Sequence, residues 1–165
     1  MRVLVTAGSK HGATTEMARV IGEVLAAEGL AVDLAEPGEV GSVDEYDAVV
    51  IGSAVYMGRW QEPAREFVDR HADALAARRV WLFSSGPLGD PPIPPDDPVD
   101  AAGILDRTGA RAHRVFPGKL ERSRLSFGEK AMAAAVRAPE GDFRPWDEIR
   151  TWAEEIAQEL RVGAS

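Results

Sequence analysis

The sequence predicts an α/β domain in which a parallel, doubly wound sheet carries helices on both faces. Short uninterrupted apolar runs alternate along the chain with segments whose apolar residues recur every three or four positions. Uninterrupted apolar runs are typical of strands buried on both faces, and strands that alternate with helices form parallel sheets. The chain has 165 residues, 45% of them hydrophobic, which is enough for one well-buried core. We therefore expect residues 1–165 to form a single domain.

Five apolar runs are the predicted strands of this sheet. Each run is bounded by polar or small residues, as Asp47 and Gly52 bound the third one. The predicted strands are 3–6, 30–35, 48–51, 80–83 and 111–116, of which the last is the weakest.

Helices are predicted where apolar residues follow the spacing of one buried face. The first helix ends at Gly29, and the second begins near Pro63, a favourable residue in a first helical turn. Residues 97–98 are predicted to open a further helix, and a terminal helix is predicted within 142–160. The apolar positions of the first, second and terminal helices are Met17, Val20, Ile21, Val24 and Leu25; Phe67, Val68, Ala72 and Leu75; and Ile149, Trp152, Ala153, Ile156 and Leu160.

Composition excludes several classes of function. A formal net charge of −8 argues against a general nucleic-acid binder, which needs an excess of Lys and Arg. The chain has no cysteine, so thiolate catalysis, disulfides and iron–sulfur ligation are excluded and redox chemistry would require a bound cofactor. Its three histidines have no metal-site spacing, so no metal is expected. The sequence has no apolar run of membrane-spanning length and enters a strand at once, so we expect a cytoplasmic protein, with peripheral membrane contact left open.

Three loops follow the first, third and fourth predicted strands, at residues 8–15, 53–60 and 84–90. Ligands of doubly wound sheets bind beyond the carboxyl ends of the strands, where strand order reverses. We therefore expect these loops to converge on one ligand.

The loop after the first strand has the composition of a phosphate site. A helix N-terminus leaves N–H groups unpaired and carries partial positive charge, and Ser9 and Thr14 add hydroxyl donors. The spacing of Gly8 and Gly12 excludes a GxGxxG loop, and Lys10 precedes the second glycine instead of following it. Simple helix capping would explain the same small polar residues. The predicted phosphate residues are Ser9, Lys10, His11, Gly12, Ala13 and Thr14.

The second and third loops are suited to a planar ring. Tyr56 and Trp60 stand on what should be a solvated turn, and exposed aromatic side chains favour a partner; Trp60 either flanks that ring or begins the next helix. The glycine-rich third loop lets a ligand approach the backbone. The predicted ring contacts are Ser53, Ala54, Val55, Tyr56, Met57 and Gly58 in the second loop, and Ser85, Gly86, Pro87, Leu88 and Gly89 in the third.

These residues resemble the FMN site of the flavodoxin-like family. Ser9, Gly12 and Thr14 match the (S/T)-x-x-G-x-T loop that holds the FMN phosphate, and Tyr56 stands where flavodoxins place a stacking aromatic residue. Within that family, the chain is similar to the menaquinone-dependent protoporphyrinogen dehydrogenases. The similarity covers nearly the whole chain, although the matching motifs lie in the first 90 residues. Lys10 and His11 depart from the threonine-containing middle of the usual loop.

The resemblance implies a flavodoxin-like five-stranded parallel sheet of order 2-1-3-4-5 and noncovalently bound FMN. It implies an FMN-dependent oxidoreductase acting on a quinone or protoporphyrinogen, in which FMN supplies the redox chemistry. A one-electron carrier without its own substrate and a flavin-less interaction protein are the alternatives. A receiver-type signalling domain shares the strand order but needs an aspartate at the tip of the third strand, where this chain has Gly52.

The segment 107–124 reverses the acidic charge of the chain. Its basic residues are Arg107, Arg111, Arg114, Lys119, Arg122 and Arg124. Together with Arg59 it could form a basic rim that orients an anionic substrate, and Arg59, Arg122 and Arg124 are the predicted substrate residues. A solvated surface paired with nearby carboxylates is the alternative explanation, and a redox protein is the alternative partner.

Overall fold

Strands and helices alternate along the fold, which is a computed structural model that describes residues 1–9, 12–56, 59–85, 101–116, 119–120, 141–142 and 144–163. A short 3-10 turn, Pro37–Glu39, precedes the third strand. In chain order the strands and helices are β1 (Arg2–Gly8), α1 (Ala13–Ala27), β2 (Ala31–Ala35), β3 (Ala48–Tyr56), β4 (Arg59–Trp60), α2 (Glu62–Ala76), β5 (Arg79–Ser85), α3 (Ala101–Thr108), β6 (Ala112–Phe116), β7 (Lys119–Leu120), β8 (Gly141–Asp142) and α4 (Trp146–Gly163).

Five parallel strands form the main sheet, in the order β2-β1-β3-β5-β6. Counted among the parallel strands, this is the predicted order 2-1-3-4-5, and the predicted fold class is confirmed. The sixth strand of the sheet, β4, pairs antiparallel with the end of β3. Strands β7 and β8 form a separate antiparallel pair.

Two apolar cores cover the two faces of the sheet. Successive side chains of β1 point to opposite faces, so Val3 and Val5 pack with α1 and α4 whereas Leu4 packs with α2 and α3. In the first core, the ring of Trp152 meets the rings of Phe83 and Phe116 edge-on, with centroids 6.1 Å and 5.7 Å away. The predicted helices therefore lie on both faces of the sheet, and each turns its apolar stripe toward the core on its side.

Helix α4 begins later than predicted, at Trp146 rather than near residue 142. Pro145 explains the difference, because a proline is tolerated at a helix start and the residue before it is disfavoured in helical conformation. Residues 141–142 lie instead in β8. In the part of the chain that the structure describes, no helix combines the length and the apolar character needed to cross a membrane.

Strands β1, β3 and β5 extend beyond their predicted ends, to Gly8, Tyr56 and Ser85. The sequence interpretation assigned the small polar residues at these ends to loops. Ser53 and Ser84 are fully buried, and both belong to the parallel pairing of the sheet. The predicted loop 53–60 is therefore largely strand.

A polar cluster lies near the starts of β1 and β3, away from their carboxyl ends. The Tyr46 hydroxyl donates to Asp33 Oδ2 at 2.8 Å, and the Arg2 guanidinium donates to the same oxygen at 2.5 Å. The hydrogen bond from Tyr46, helped by the bond and charge of Arg2, outweighs burial and lowers the pKa of Asp33. Burial, followed by the bond to Asp33, raises the pKa of Tyr46 to about 12. These contacts join β1, β2 and the entry to β3.

Gly52, in the middle of β3, has no room for a side chain. A Cβ at this position would lie 2.1 Å from Cζ of Phe83, whose ring is buried across the strand pair. The absence of a side chain at residue 52 therefore lets the Phe83 ring fill the core.

We predict that Gly52→Ala lowers the free energy of unfolding by about 2 to 3 kcal/mol, because the buried ring must move. Gly103→Ala is the matched control, since Gly103 is exposed in α3 and a Cβ there meets nothing within 4 Å. The control should raise the unfolding free energy by about 0.5 to 1 kcal/mol through helix propensity. Urea unfolding of the three proteins measures both changes, and equal effects would contradict this account of Gly52.

Candidate functional site

Three strand ends lie side by side at one edge of the sheet. Gly8 of β1 is opposite Ser53 of β3, and Ser53 is opposite Ser84 of β5. Strand β1 lies between β2 and β3, so the connections from β1 and β3 leave in opposite directions and open a crevice. The three predicted loops follow these strand ends.

The loop between β1 and α1 ends in an uncapped helix N-terminus. Gly12 occupies the N-cap position with φ 87°, a left-handed conformation that glycine adopts without strain, and makes no side-chain cap. The Gly12 N–H donates to Ser9 Oγ at 2.9 Å, which leaves the Ser9 hydroxyl proton available. Thr14, in the first turn of α1, is 1% exposed. Ala13 begins α1, while Lys10 and His11 lie outside the described residues.

A buried cation approaches the same helical turn. The Arg144 guanidinium donates to Glu16 Oε2 at 2.7 Å and lies 4.5 Å from the centre of the Trp146 ring. The Arg144 side chain is only 4% exposed, whereas that of Glu16 is 48% exposed. The sequence interpretation missed Arg144, because its contact joins residues 128 positions apart and no local motif marks it. Arg144 therefore places positive charge one turn from Gly12 and offsets the negative charge of the Glu16 carboxylate.

The second predicted loop is built around a strand pair. Tyr56 is the last residue of β3 and pairs with Arg59, and Val55 pairs with Trp60. The Ser53 hydroxyl accepts the Gln61 N–H at 2.8 Å and donates to the Ala54 carbonyl at 2.8 Å. Met57 and Gly58 lie outside the described residues.

Trp60 is buried rather than exposed on a turn. It is 1% exposed, and its Nε1–H donates to Ser84 Oγ at 2.8 Å. The Ser84 hydroxyl lies 2.7 Å from Nε2 of His113 in β6. The Trp60 carbonyl accepts the Nε–H of Arg65 at 3.0 Å. Trp60 therefore anchors β4 in the core and does not begin α2.

The third predicted loop is described only at its start. Ser84 and Ser85 are buried at the end of β5, with Ser85 opposite Ala54 and Phe116 in the neighbouring strands. Gly86, Pro87, Leu88 and Gly89 lie outside the described residues.

Three arginines of the basic segment contact the residues around them. Arg107 forms an ion pair with Asp69, Arg111 lies 5.8 Å from the Trp81 ring centre and Arg114 lies 5.5 Å from that of Phe116. These contacts favour the surface explanation for 107–114. Arg59 is exposed at the end of the β3–β4 pair, while Arg122 and Arg124 lie outside the described residues.

The residues of the first loop fit the phosphate of FMN. The first turn of α1 directs N–H groups toward the loop without a side-chain cap, and an anion stabilises such a terminus. Ser9 and Thr14 add hydroxyls, and Gly12, with its positive φ, places no side chain at the helix N-terminus. The site lies at the strand-order reversal, where this class of sheet binds ligands.

Comparisons with known proteins agree with this assignment. The flavodoxin domain family matches residues 4–145. The chain is 24% identical to Escherichia coli K12 protoporphyrinogen IX dehydrogenase [quinone] over 172 aligned positions, covering 95% of each protein. A flavodoxin from the domain Archaea superposes with a TM-score of 0.64 at 18% identity, over 98% of this chain and 99% of the other. The flavodoxin of Streptococcus pneumoniae TIGR4 superposes with a TM-score of 0.62 at 20% identity, over 99% of both chains. The chain therefore belongs to the flavodoxin domain family, which makes it a flavodoxin-type flavoprotein that binds FMN.

Proposed function

We propose that the chain is an FMN-dependent oxidoreductase that acts on a quinone or a porphyrinogen-like substrate. The observation that carries the proposal is the uncapped N-terminus of α1 beside the β1/β3 crevice, because it offers a phosphate site where the fold binds ligands. The substrate class is supported by likeness along 95% of both chains to an enzyme named protoporphyrinogen IX dehydrogenase [quinone].

In this proposal, residues 9–14 hold the FMN phosphate. The Ser9 oxygen already accepts the Gly12 N–H, so its proton is free for a phosphate oxygen, and Thr14 supplies a second hydroxyl. The Glu16 carboxylate would repel a dianion one turn away. Arg144 reduces that repulsion by pairing with Glu16.

Residues 53–58 contact the flavin ring, and residues 85–89 contact its polar pyrimidine edge. FMN exchanges a hydride or single electrons at N5 when it is bound. Tyr56 stacks on one face and excludes water there, which favours the less charged form of the ring and so adjusts its reduction potential. The glycine-rich third loop offers backbone N–H and carbonyl groups to the ring edge.

A basic rim orients the substrate. Arg59 is exposed and lies directly opposite Tyr56 in the β3–β4 pair, so a substrate bound over the ring passes close to it. Arg122 and Arg124 join it in this proposal. An arginine holds a carboxylate in a two-point hydrogen bond, and porphyrinogens carry carboxylates.

A one-electron carrier is the second candidate function. The observation that favours it is length, because two flavodoxins each align with 98% or more of this chain and with 99% of their own. The likeness thus extends along nearly the whole of both chains. A carrier would exchange electrons through FMN and need no substrate-orienting residues.

We predict that Thr14→Val weakens FMN binding roughly 10- to 100-fold, because a hydroxyl that donates to a charged phosphate is lost while side-chain shape is kept. Riboflavin, which has no phosphate, should bind both proteins equally. Thr151→Val, at an exposed position of α4, is the control and should leave FMN affinity unchanged. Calorimetry that finds equal affinity of the native protein for FMN and riboflavin would refute the phosphate assignment.

We predict that Tyr56→Ala weakens FMN binding by about 1 to 3 kcal/mol and raises the fluorescence of the bound flavin, because one aromatic contact is lost. Tyr56→Phe keeps the ring and should preserve both affinity and quenching. Fluorescence titration measures both quantities. If Tyr56→Ala matches the native protein, another residue stacks on the flavin.

We predict that a menaquinone analogue reoxidises the reduced protein and that a porphyrinogen reduces the oxidised protein, both measured by anaerobic stopped-flow absorbance. Replacing Arg59, Arg122 and Arg124 by Gln, singly and together, should slow the porphyrinogen reaction and leave FMN bound. Failure of both reactions would favour the carrier. Activity that survives the triple replacement would contradict the role assigned to the basic rim, whereas the proposal that the protein is an enzyme would stand.

A further inference from the structure

A series of hydrogen bonds, buried at its Trp60 and Ser84 members, joins β4, β5 and β6. Trp60 of β4 donates from Nε1 to Ser84 Oγ at 2.8 Å, and Ser84 Oγ of β5 lies 2.7 Å from Nε2 of His113 in β6. Trp60 is 1% exposed and Ser84 is fully buried, so water does not compete for the bond between them, whereas His113 is half-buried. The bonds therefore fix the relative positions of β4, β5 and β6.

The chemistry of the three groups limits which of them donates and which accepts in these hydrogen bonds. An indole N–H can only donate, so Ser84 Oγ is the acceptor for Trp60. In the tautomer in which Nε2 of His113 carries no proton, that nitrogen accepts the single proton of the Ser84 hydroxyl. A doubly protonated His113 would also donate to Ser84 and leave the buried hydroxyl proton without this acceptor.

Strand β4 depends on such contacts because it has two residues and, among the described strands, pairs only with β3. Besides the Trp60 indole, the structure shows two polar anchors around it. Arg65 donates to the Trp60 carbonyl at 3.0 Å, and Gln61 donates to Ser53 Oγ at 2.8 Å. Displacement of Trp60 would therefore move its neighbour Arg59, which is the residue that pairs with Tyr56.

We propose that His113 is a positioning residue of the cofactor site. By accepting the Ser84 proton it leaves a lone pair of the Ser84 oxygen directed at the Trp60 indole N–H, and Trp60 in turn holds Arg59 and Tyr56 at the edge where FMN binds. The role rests on the FMN site proposed above and deepens it, because His113 acts through Trp60 instead of through the flavin. The juxtaposition that carries it is the hydrogen-bonded series Trp60, Ser84 and His113, in which Trp60 and Ser84 are buried.

The test uses the FMN-loaded protein and three variants. His113→Leu removes the acceptor, whereas His113→Gln offers an amide oxygen in its place. His71→Leu is the matched control, because His71 is a partly buried histidine in α2 that packs on Phe67, with ring centroids 4.9 Å apart, and lines a cavity with residues 41–44 before β3. The readouts are solvent exchange of the Trp60 indole proton by NMR, the visible circular dichroism of the bound flavin, and the FMN dissociation constant.

For His113→Leu we expect indole exchange to accelerate and the FMN dissociation constant to rise, each about tenfold, with an altered flavin dichroism spectrum. His113→Gln should restore all three quantities, and His71→Leu should change none of them. Unchanged exchange and dichroism in His113→Leu would overturn the proposal, as would changes of equal size in His71→Leu.

A measurement on the native protein covers the case in which His113→Leu does not fold. Nitrogen-15 chemical shifts of His113 at neutral pH should show Nδ1 protonated and Nε2 unprotonated. A proton on Nε2 would overturn the proposal. Indole exchange and the tautomer can also be measured without FMN, so failure of the native protein to bind FMN would refute the proposed function separately from the hydrogen-bond series.

Discussion

The geometry of the cofactor edge depends on the parallel pairing of β1 with β3. This register sets Gly8 opposite Ser53, and the pairing of β3 with β5 continues the row to Ser84. Strand β2 lies on the other side of β1, so the crevice opens where these strands end. A slip of one residue would exchange the side chains that face the two cores, since neighbours such as Leu4 and Val5 belong to different ones.

Buried hydroxyl groups give this edge its rigidity. Ser53 and Ser84 lie near the end of the parallel pairing of β3 with β5, and each bonds to a group from β4 or the residue after it: the Gln61 N–H and the Trp60 indole. An aliphatic side chain in either place would fill space but leave a buried donor unpaired. The polar residues at the strand ends therefore maintain the fold as well as line the edge.

The sequence was sufficient to predict the sheet and its order but not the contacts that complete the site. Apolar runs locate the parallel strands, because both faces are covered, and helical spacing locates α1, α2 and α4. The burial of Trp60 was not predictable from its neighbours, since it depends on a serine 24 positions away. The Arg144–Glu16 pair likewise depends on the packing of α1 against α4. Of the predicted site residues, Ser9, Gly12, Thr14 and the strand ends lie at one edge, whereas their contacts with FMN stay predictions.

The covering of the first core by α4 has a consequence for how the chain folds during synthesis. Among the described residues, the buried side chains of the face packed by α2 and α3 end at Ile104, with Leu105 and Ala110 packed against them, so this face can close while the ribosome is still extending the chain. The opposite face needs Trp152, Ile156 and Leu160, and α1 therefore stays half-covered until residues 146–163 have emerged. During that interval the exposed stripe of α1 is a target for chaperones and for aggregation. The Arg144–Glu16 contact, just before α4, closes that face beside the phosphate loop once synthesis has passed residue 144.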